Sequence, residues 1–306
     1  MPASVFHYYF INDLIKNDKY QDLISLSGQG PDPFFFYGYS LSKRKNKDEI
    51  RKFGTLLHHV DPWPIYSFMI KYASKDKKHR GFLLAFTRGF MYHYCLDRNL
   101  HPYIFYISGF SNKSEEKKYY SYKHAEVESA IDAMIKEKFN IDKKIPELLE
   151  VDEDKLKIIS KMFYELANNV FQNKYVDELS YYYGVKDMMF TYKYLNSKFV
   201  NVFVKIFMKK HIANALSLPK SNDYVKYDLF NEAGNKWLNC VNGNIRFETV
   251  FDLIENAKHD AHLVDSIIMS KSQEKLNEKL QGFTKNIDHD GFPINSEKKF
   301  FDLKIK

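Results

Sequence analysis

The chain has 306 residues, with 46 Lys and Arg against 39 Asp and Glu, a net charge of +7 and 17% aromatic residues. That many aromatics with so few Gly and Pro excludes a disordered chain and predicts a packed one, long enough for one large core or two smaller ones. The basic excess is spread along the chain. It describes a lysine-rich solvated surface, and no stable nucleic acid complex is expected from it.

Taken in chain order, residues 4–18 read as a first helix, with Val5, Phe6, Tyr9, Phe10 and Leu14 apolar and His7 among them. A second short helix is expected over 18–27. The run Gly28-Gln29-Gly30-Pro31-Asp32-Pro33 then interrupts helical structure, and each proline biases the residue before it, Gly30 or Asp32, towards extended geometry. Asp32 is therefore expected on a loop. A helix over Lys47–His59 has Asn46 as its natural N-cap, and helical structure resumes over 63–74. The next helix, from Gly81 to about His101, is expected to stop at Pro102. Residues 109–121 read as a polar loop before a helix from about Tyr122 to Lys138.

After Pro146 the pattern is helical without evident chemistry. Asp152–Asn173 is amphipathic, Asp177–Tyr183 is short, and Val185–Leu216 forms one long or broken helix. Loops are expected over Pro219–Tyr227 and Trp237–Asn244, and one or two helices over Thr249–Leu280. From Gly282 the chain should be an irregular, mobile tail. No strand-like alternation predicts a sheet. The expected fold is all-α: a single domain over 1–281, with a metal-site half at 1–140, further helices over 145–281, and the tail at 282–306.

Cys95 and Cys240 form no CxxC pattern and read as reduced core thiols. The N-terminal stretch lacks a basic segment followed by an uninterrupted apolar run, so no signal peptide is expected. No stretch approaches the ~20 apolar residues of a membrane span, the best candidate, Val202–Met208, being broken by Lys205. A soluble, cytoplasmic protein of undefined oligomeric state is the expectation.

The chemistry concentrates between Phe90 and Asp132. His93, Asp97 and His101 follow one another at steps of four, as do His124 and Glu128. On a helix each such step advances about 6 Å and turns only about 40°, so each set shares one face. Imidazole nitrogens and carboxylate oxygens are the ligands zinc and similar cations take, and facing helices can project them inward to build a site. The neighbours Phe90, Met91, Tyr94, Leu96, Leu100 and Ile104 are apolar, and burying five ionisable groups among them calls for compensation, which a cation supplies.

His7, the GPDPFFFYG segment with Asp32, the GTLLH segment with His58, the GFMYHYCLDRNLHPY segment, and HAEVE from His124 to Glu128 form an ordered set over residues 1–140. This set resembles the zinc-dependent phospholipase C family, all-helical enzymes related more distantly to the helical zinc nucleases that cut single strands. A fainter echo surrounds Trp237. The resemblance implies a multi-helix bundle with a multi-metal cleft. It implies that Asp32, His58, His93 and Asp97 hold one metal, that His101, His124 and Glu128 hold another, and that His7 with Asp97 contributes to a third. The secreted relatives use an N-terminal tryptophan amine at that third metal, which Met1-Pro2 does not supply, so two zinc ions are expected and a third left open. Iron or manganese suits the same donors. His59 is the alternative to His58, with the spacing from Gly54 favouring His58. His79, His211, His259, His262 and His289 lack a matching context and are expected to be structural or solvated.

Such a site suits hydrolysis of phosphate esters, with Asp32 both a ligand and an acceptor for the proton of the attacking water. The Phe34–Tyr37 run and Tyr66 are either an aromatic pocket for a quaternary ammonium headgroup of a phospholipid or part of the core. A nuclease or nucleotidase on the same scaffold, and a non-catalytic metal protein, are the competing expectations.

Overall fold

The histidine-bearing helix is the axis of the protein in a computed structural model, which describes residues 4–40, 43–109, 117–195, 224, 226–269 and 273–294. The described residues are mostly helical, as expected. The elements are α1 (Ser4–Leu14), α2 (Gln21–Ser27), α3 (Pro33–Phe36), α4 (Lys47–His59), α5 (Trp63–Lys75), α6 (Arg80–Ile107), α7 (Lys117–Lys138), α8 (Ile145–Leu148), α9 (Glu153–Phe171) and α10 (Ser180–Leu195). A two-stranded hairpin, β1 (Trp237–Leu238) and β2 (Ile245–Arg246), precedes α11 (Val250–Ile268) and α12 (Gln273–Thr284). The part of the long helix expected beyond residue 195, with Val202–Met208 and His211, lies outside the described residues, as do most of the loops expected over 109–121 and 219–227 and the end of the tail. No described helix is long and apolar enough to cross a membrane.

Helix α6 is buried over most of its length, its polar residues turned to the cleft or to partners on neighbouring helices. It packs against α1, α2, α5, α7 and α11. Gly89 lets α2 approach it closely, since a Cβ there would stand 1.8 Å from Ser27 Oγ and 2.8 Å from the Ile24 carbonyl. Polar clamps hold it to its neighbours: Arg98 and Asn99 both donate to Asp260 on α11, and the Tyr92 hydroxyl donates to Asp265. Phe34 packs edge-on against Phe53, Phe163 and Tyr181, bringing α3, α4, α9 and α10 into one aromatic core. Phe34, Phe36, Tyr37 and Tyr66 are all buried there. Of the expected aromatic pocket only Phe35 faces the cleft, stacked on His58.

Four local expectations are corrected. Helix α6 does not stop at Pro102 but runs five residues past it. Pro102 has no N–H for the Arg98 carbonyl, yet burial of Tyr103, Ile104 and Phe105 in the following turn outweighs that lost bond. Asp32 is not extended before Pro33. It adopts right-handed helical angles, because consecutive turns from Gln29 to Asp32 and from Asp32 to Phe35 tighten the chain into α3. Asn46 stands at the N-cap position of α4, but in the left-handed conformation and with no side-chain hydrogen bond to the helix. The loop expected over Trp237–Asn244 instead begins with β1, which pairs antiparallel with β2, closed by Asn242-Gly243 with Gly243 at φ +76°.

The expectation for the tail also changes. Residues 285–294 fold back along α6 through turns and an isolated bridge between Ile287 and Pro293. Gly291 lies so close to the proline-freed Arg98 carbonyl that a Cβ would stand 2.8 Å from it. Only a glycine permits that approach, and its φ of +81° needs one as well.

Candidate metal centre

The eight residues singled out from the sequence line or adjoin a single cleft. His93, Asp97 and His101 lie along α6, and His124 and Glu128 along α7. His7 comes from α1, Asp32 from the turn before α3, and His58 from the last turn of α4. A cavity of about 180 Å³ is lined by His7, Asp32, His58, Asp97, His101, His124 and Glu128, with Phe35, Thr55, His59 and Asp290 at its walls. His93, 1% exposed, lies behind the lining against Asp97.

Three groups of ligand atoms, each within 4.8 Å of one another, emerge: Asp32 with His58 and His93, His7 with His93 and Asp97, and His101 with His124 and Glu128. Each could hold a metal ion. Asp97 stands between them, with Oδ2 2.8 Å from His93 Nε2 and Oδ1 3.2 Å from His7 Nε2 and 3.8 Å from His101 Nε2. On the second helix, Glu128 Oε1 is 3.1 Å from His124 Nε2 and 3.7 Å from His101 Nε2. Asp32 Oδ1 is 3.1 Å from His58 Nε2.

The outer nitrogens explain why the inner ones face the cleft. His58 Nδ1 is 2.8 Å from the Gly54 carbonyl, His93 Nδ1 2.9 Å from that of Gly28, and His101 Nδ1 3.0 Å from that of His289. A carbonyl accepts only, so each Nδ1 carries a proton and each ring turns its Nε2 towards the cleft. This is the arrangement by which metal-binding histidines are usually oriented. Two buried nitrogens fit the same reading. His7 Nδ1 has no hydrogen-bond partner among the described residues, and His93 Nε2, although 2.8 Å from Asp97 Oδ2, lacks hydrogen-bond geometry towards it. The donor set of imidazoles and carboxylates fits zinc, manganese or iron(II).

Electrostatics agree with a cluster built to hold positive charge. Burial works to raise the Asp97 carboxyl, but His93, His101 and His7 outweigh it and hold the group well below the ordinary carboxylate range. Glu128 behaves likewise: burial opposes ionisation and His124 and His101 overcome it. One turn further along α7, Asp132 accepts from the amides of Val5 and Phe6 at 3.1 and 2.8 Å, which fixes the start of α1 and so the position of His7. Burial and nearby Glu128 push the Asp132 carboxyl up to about 8, against the pull of those two amides.

No protein-family model, curated protein or solved structure matches this chain.

Of the two adjacent histidines, His58 is buried beside Asp32, whereas the His59 side chain is 43% exposed and turns to Asp288 and Asp290. His259 and His262 are exposed on α11, and His79 pairs with Asp76. His289 is the structural one of this set: it is fully buried, with ring centres 5.1 Å from those of His58 and Tyr94 and 5.6 Å from that of His93. Its amide donates to the His58 carbonyl and its own carbonyl receives His101 Nδ1, so one residue braces both ends of the cleft. Burial, with His58 and His93 beside it, keeps its ring neutral, and neither ring nitrogen has a partner among the described residues. The signal was present in the run Asp288-His289-Asp290-Gly291, three ligand-type residues followed by a glycine.

Proposed function

We propose that this protein is a zinc-dependent hydrolase of phosphate esters, of phospholipase C type, acting at cations held in the α6–α7 cleft. The observation that carries the reading is the sharing of ligands. Asp97 stands between three histidines from two helices, and His93 belongs to two of the three groups, so cations there would lie close together. Two cations held there would supply a clamp for phosphoryl oxygens, a lowered pKa for a bound water and stabilisation of the leaving oxygen. The ordered motifs from His7 to Glu128 support the same reading.

The chain's own residues supply the rest. Asp32 reaches the cleft from a turn braced by α3, and its carboxylate is the acceptor proposed for the proton of the attacking water. Phe35, stacked on His58 at 5.1 Å between ring centres, forms an apolar wall against which a headgroup can lie. The cavity is smaller than the roughly 300 Å³ at which pockets for drug-sized ligands begin, so the substrate enters by a phosphoryl end and not as a whole.

The test is a panel of p-nitrophenyl phosphodiesters and monoesters, phosphatidylcholine and single-stranded nucleic acid, assayed on zinc-loaded and chelator-treated protein. Hydrolysis of an ester that chelation abolishes and zinc restores is the expected result. Loss of turnover in Asp32→Ala with metal retained supports the role in proton transfer. Full metal occupancy without turnover of any ester would show a metal protein that is not a phosphoesterase.

A further inference from the structure

Beyond the three groups in the cleft, one more set of ligand-type side chains converges at its rim. His59, Asp288 and Asp290 bring their ligand atoms within 4.8 Å of one another. We propose that these three residues form a separate divalent-cation site at the mouth of the cleft, built by the last residue of α4 and the turn that returns from α12.

The geometry of the oxygens carries the inference. Asp288 Oδ1 accepts the backbone amides of Asp290 and Phe292 at 3.0 and 2.9 Å, which ties that oxygen into the turn. Asp288 Oδ2 lies 3.8 Å from His59 Nδ1. Asp290 follows the same plan, with Oδ1 3.2 Å from His101 Nδ1 and Oδ2 3.5 Å from His59 Nδ1. Each carboxylate is thus anchored through one oxygen and presents the other towards the same imidazole nitrogen, the way supporting hydrogen bonds orient metal ligands.

The separations suit a shared ion better than direct pairing. Two donors bound at about 2.0–2.2 Å to one tetrahedral ion stand about 3.4 Å apart, close to the 3.5 Å between Asp290 and His59. A charge-assisted hydrogen bond between the same groups would be about 2.7–2.9 Å long. The two carboxylates are also largely withdrawn from water, at 4% and 16% side-chain exposure, with His59 facing both and His101 beside Asp290. One imidazole and two carboxylates suit zinc, manganese or iron(II), and three protein ligands would leave a coordination position open. None of the three residues belongs to the cleft groups, although Asp290 also braces His101 at 3.2 Å, so the rim site has ligands of its own beside the cleft.

Calorimetric titration of the chelator-treated full chain with zinc tests this. The wild-type protein should bind one equivalent that persists when His93 and His124 are both changed to Ala. His59→Ala should weaken that equivalent by on the order of a hundredfold while the remaining equivalents and the circular dichroism stay unchanged. Asp288→Asn keeps an oxygen for the turn amides and should show the same loss, which decides the matter if His59→Ala proves unstable. Unchanged stoichiometry and affinity in both variants would overturn the site and leave His59 simply packed beside the two carboxylates. Loss of zinc only in the His93/His124 double variant would uphold the cleft and refute the rim.

Discussion

Gly30 is where backbone and metal centre meet most closely, and Gly30→Ala tests whether His93 is held as tightly as its contacts require. Gly30 has φ +52°, and a Cβ there would lie 2.3 Å from His93 Cδ2 and 2.7 Å from Nε2. The ring cannot easily retreat. Its Nδ1 is held by the Gly28 carbonyl at 2.9 Å, and its face stacks on His7 with ring centres 4.3 Å apart. A left-handed alanine costs about 1–2 kcal/mol, and overpacking a filled interior adds about 1–3 kcal/mol. Gly30→Ala should therefore lose about 2–5 kcal/mol in urea unfolding of the chelator-treated chain. Gly234→Ala is the matched control, since Gly234 has φ +63° with nothing within 4 Å of the added carbon, and should lose only the strain of about 1–2 kcal/mol. Gly30→Ala should also lower metal content, because Nε2 moves from Asp97. Equal stability losses in the two variants, with metal content unchanged, would refute the tight packing of His93 against the Gly30 turn.

Three further outcomes are expected. His93→Ala should remove more than one metal equivalent by elemental analysis and His124→Ala only one, because His93 belongs to two ligand groups; equal losses would contradict the sharing. In the metal-free chain, the depressed Asp97 and Glu128 carboxyls contribute stability that is complete above their ordinary values of 3.8 and 4.5 and fades as pH falls through their lower folded values. Asp97→Asn should flatten that acid limb in unfolding measured against pH, and an unaltered limb would exclude Asp97 as its source. Asp187, 1% exposed, receives Arg44 through both carboxylate oxygens and the Gly38 amide, so Asp187→Ala strands a half-buried guanidinium. A loss of about 3 kcal/mol is expected, and a loss below about 1 kcal/mol would show that the pair is not holding the 38–44 segment to α10.

The helices, and the faces on which His93, Asp97, His101, His124 and Glu128 lie, were legible because the 3.6-residue period acts over neighbouring turns and needs no tertiary information. Local rules failed where distant chain supplied the energy. Pro102 reads as a stop, yet the turn beyond it is buried against the hairpin, where Tyr103 meets Trp237, and helix continues. The proline rule for Asp32 yields to a series of turns that seats α3 in the aromatic core. The hairpin falls where a loop is expected, because its two-residue strands are too short for alternation to show.

The residue types and spacings alone determined a helical chain carrying two arrays of metal-type ligands, each on one helix face. Only the tertiary structure decided that His7, Asp32 and His58 join those arrays, that His58 and not His59 is buried beside Asp32, and that Asp288, His289 and Asp290 return to the same place. The reason is sequence distance. A step of four is set by backbone geometry, whereas the contact of His289 with His101 across 188 residues exists only because the whole core packs as it does. Nothing local to either residue encodes it.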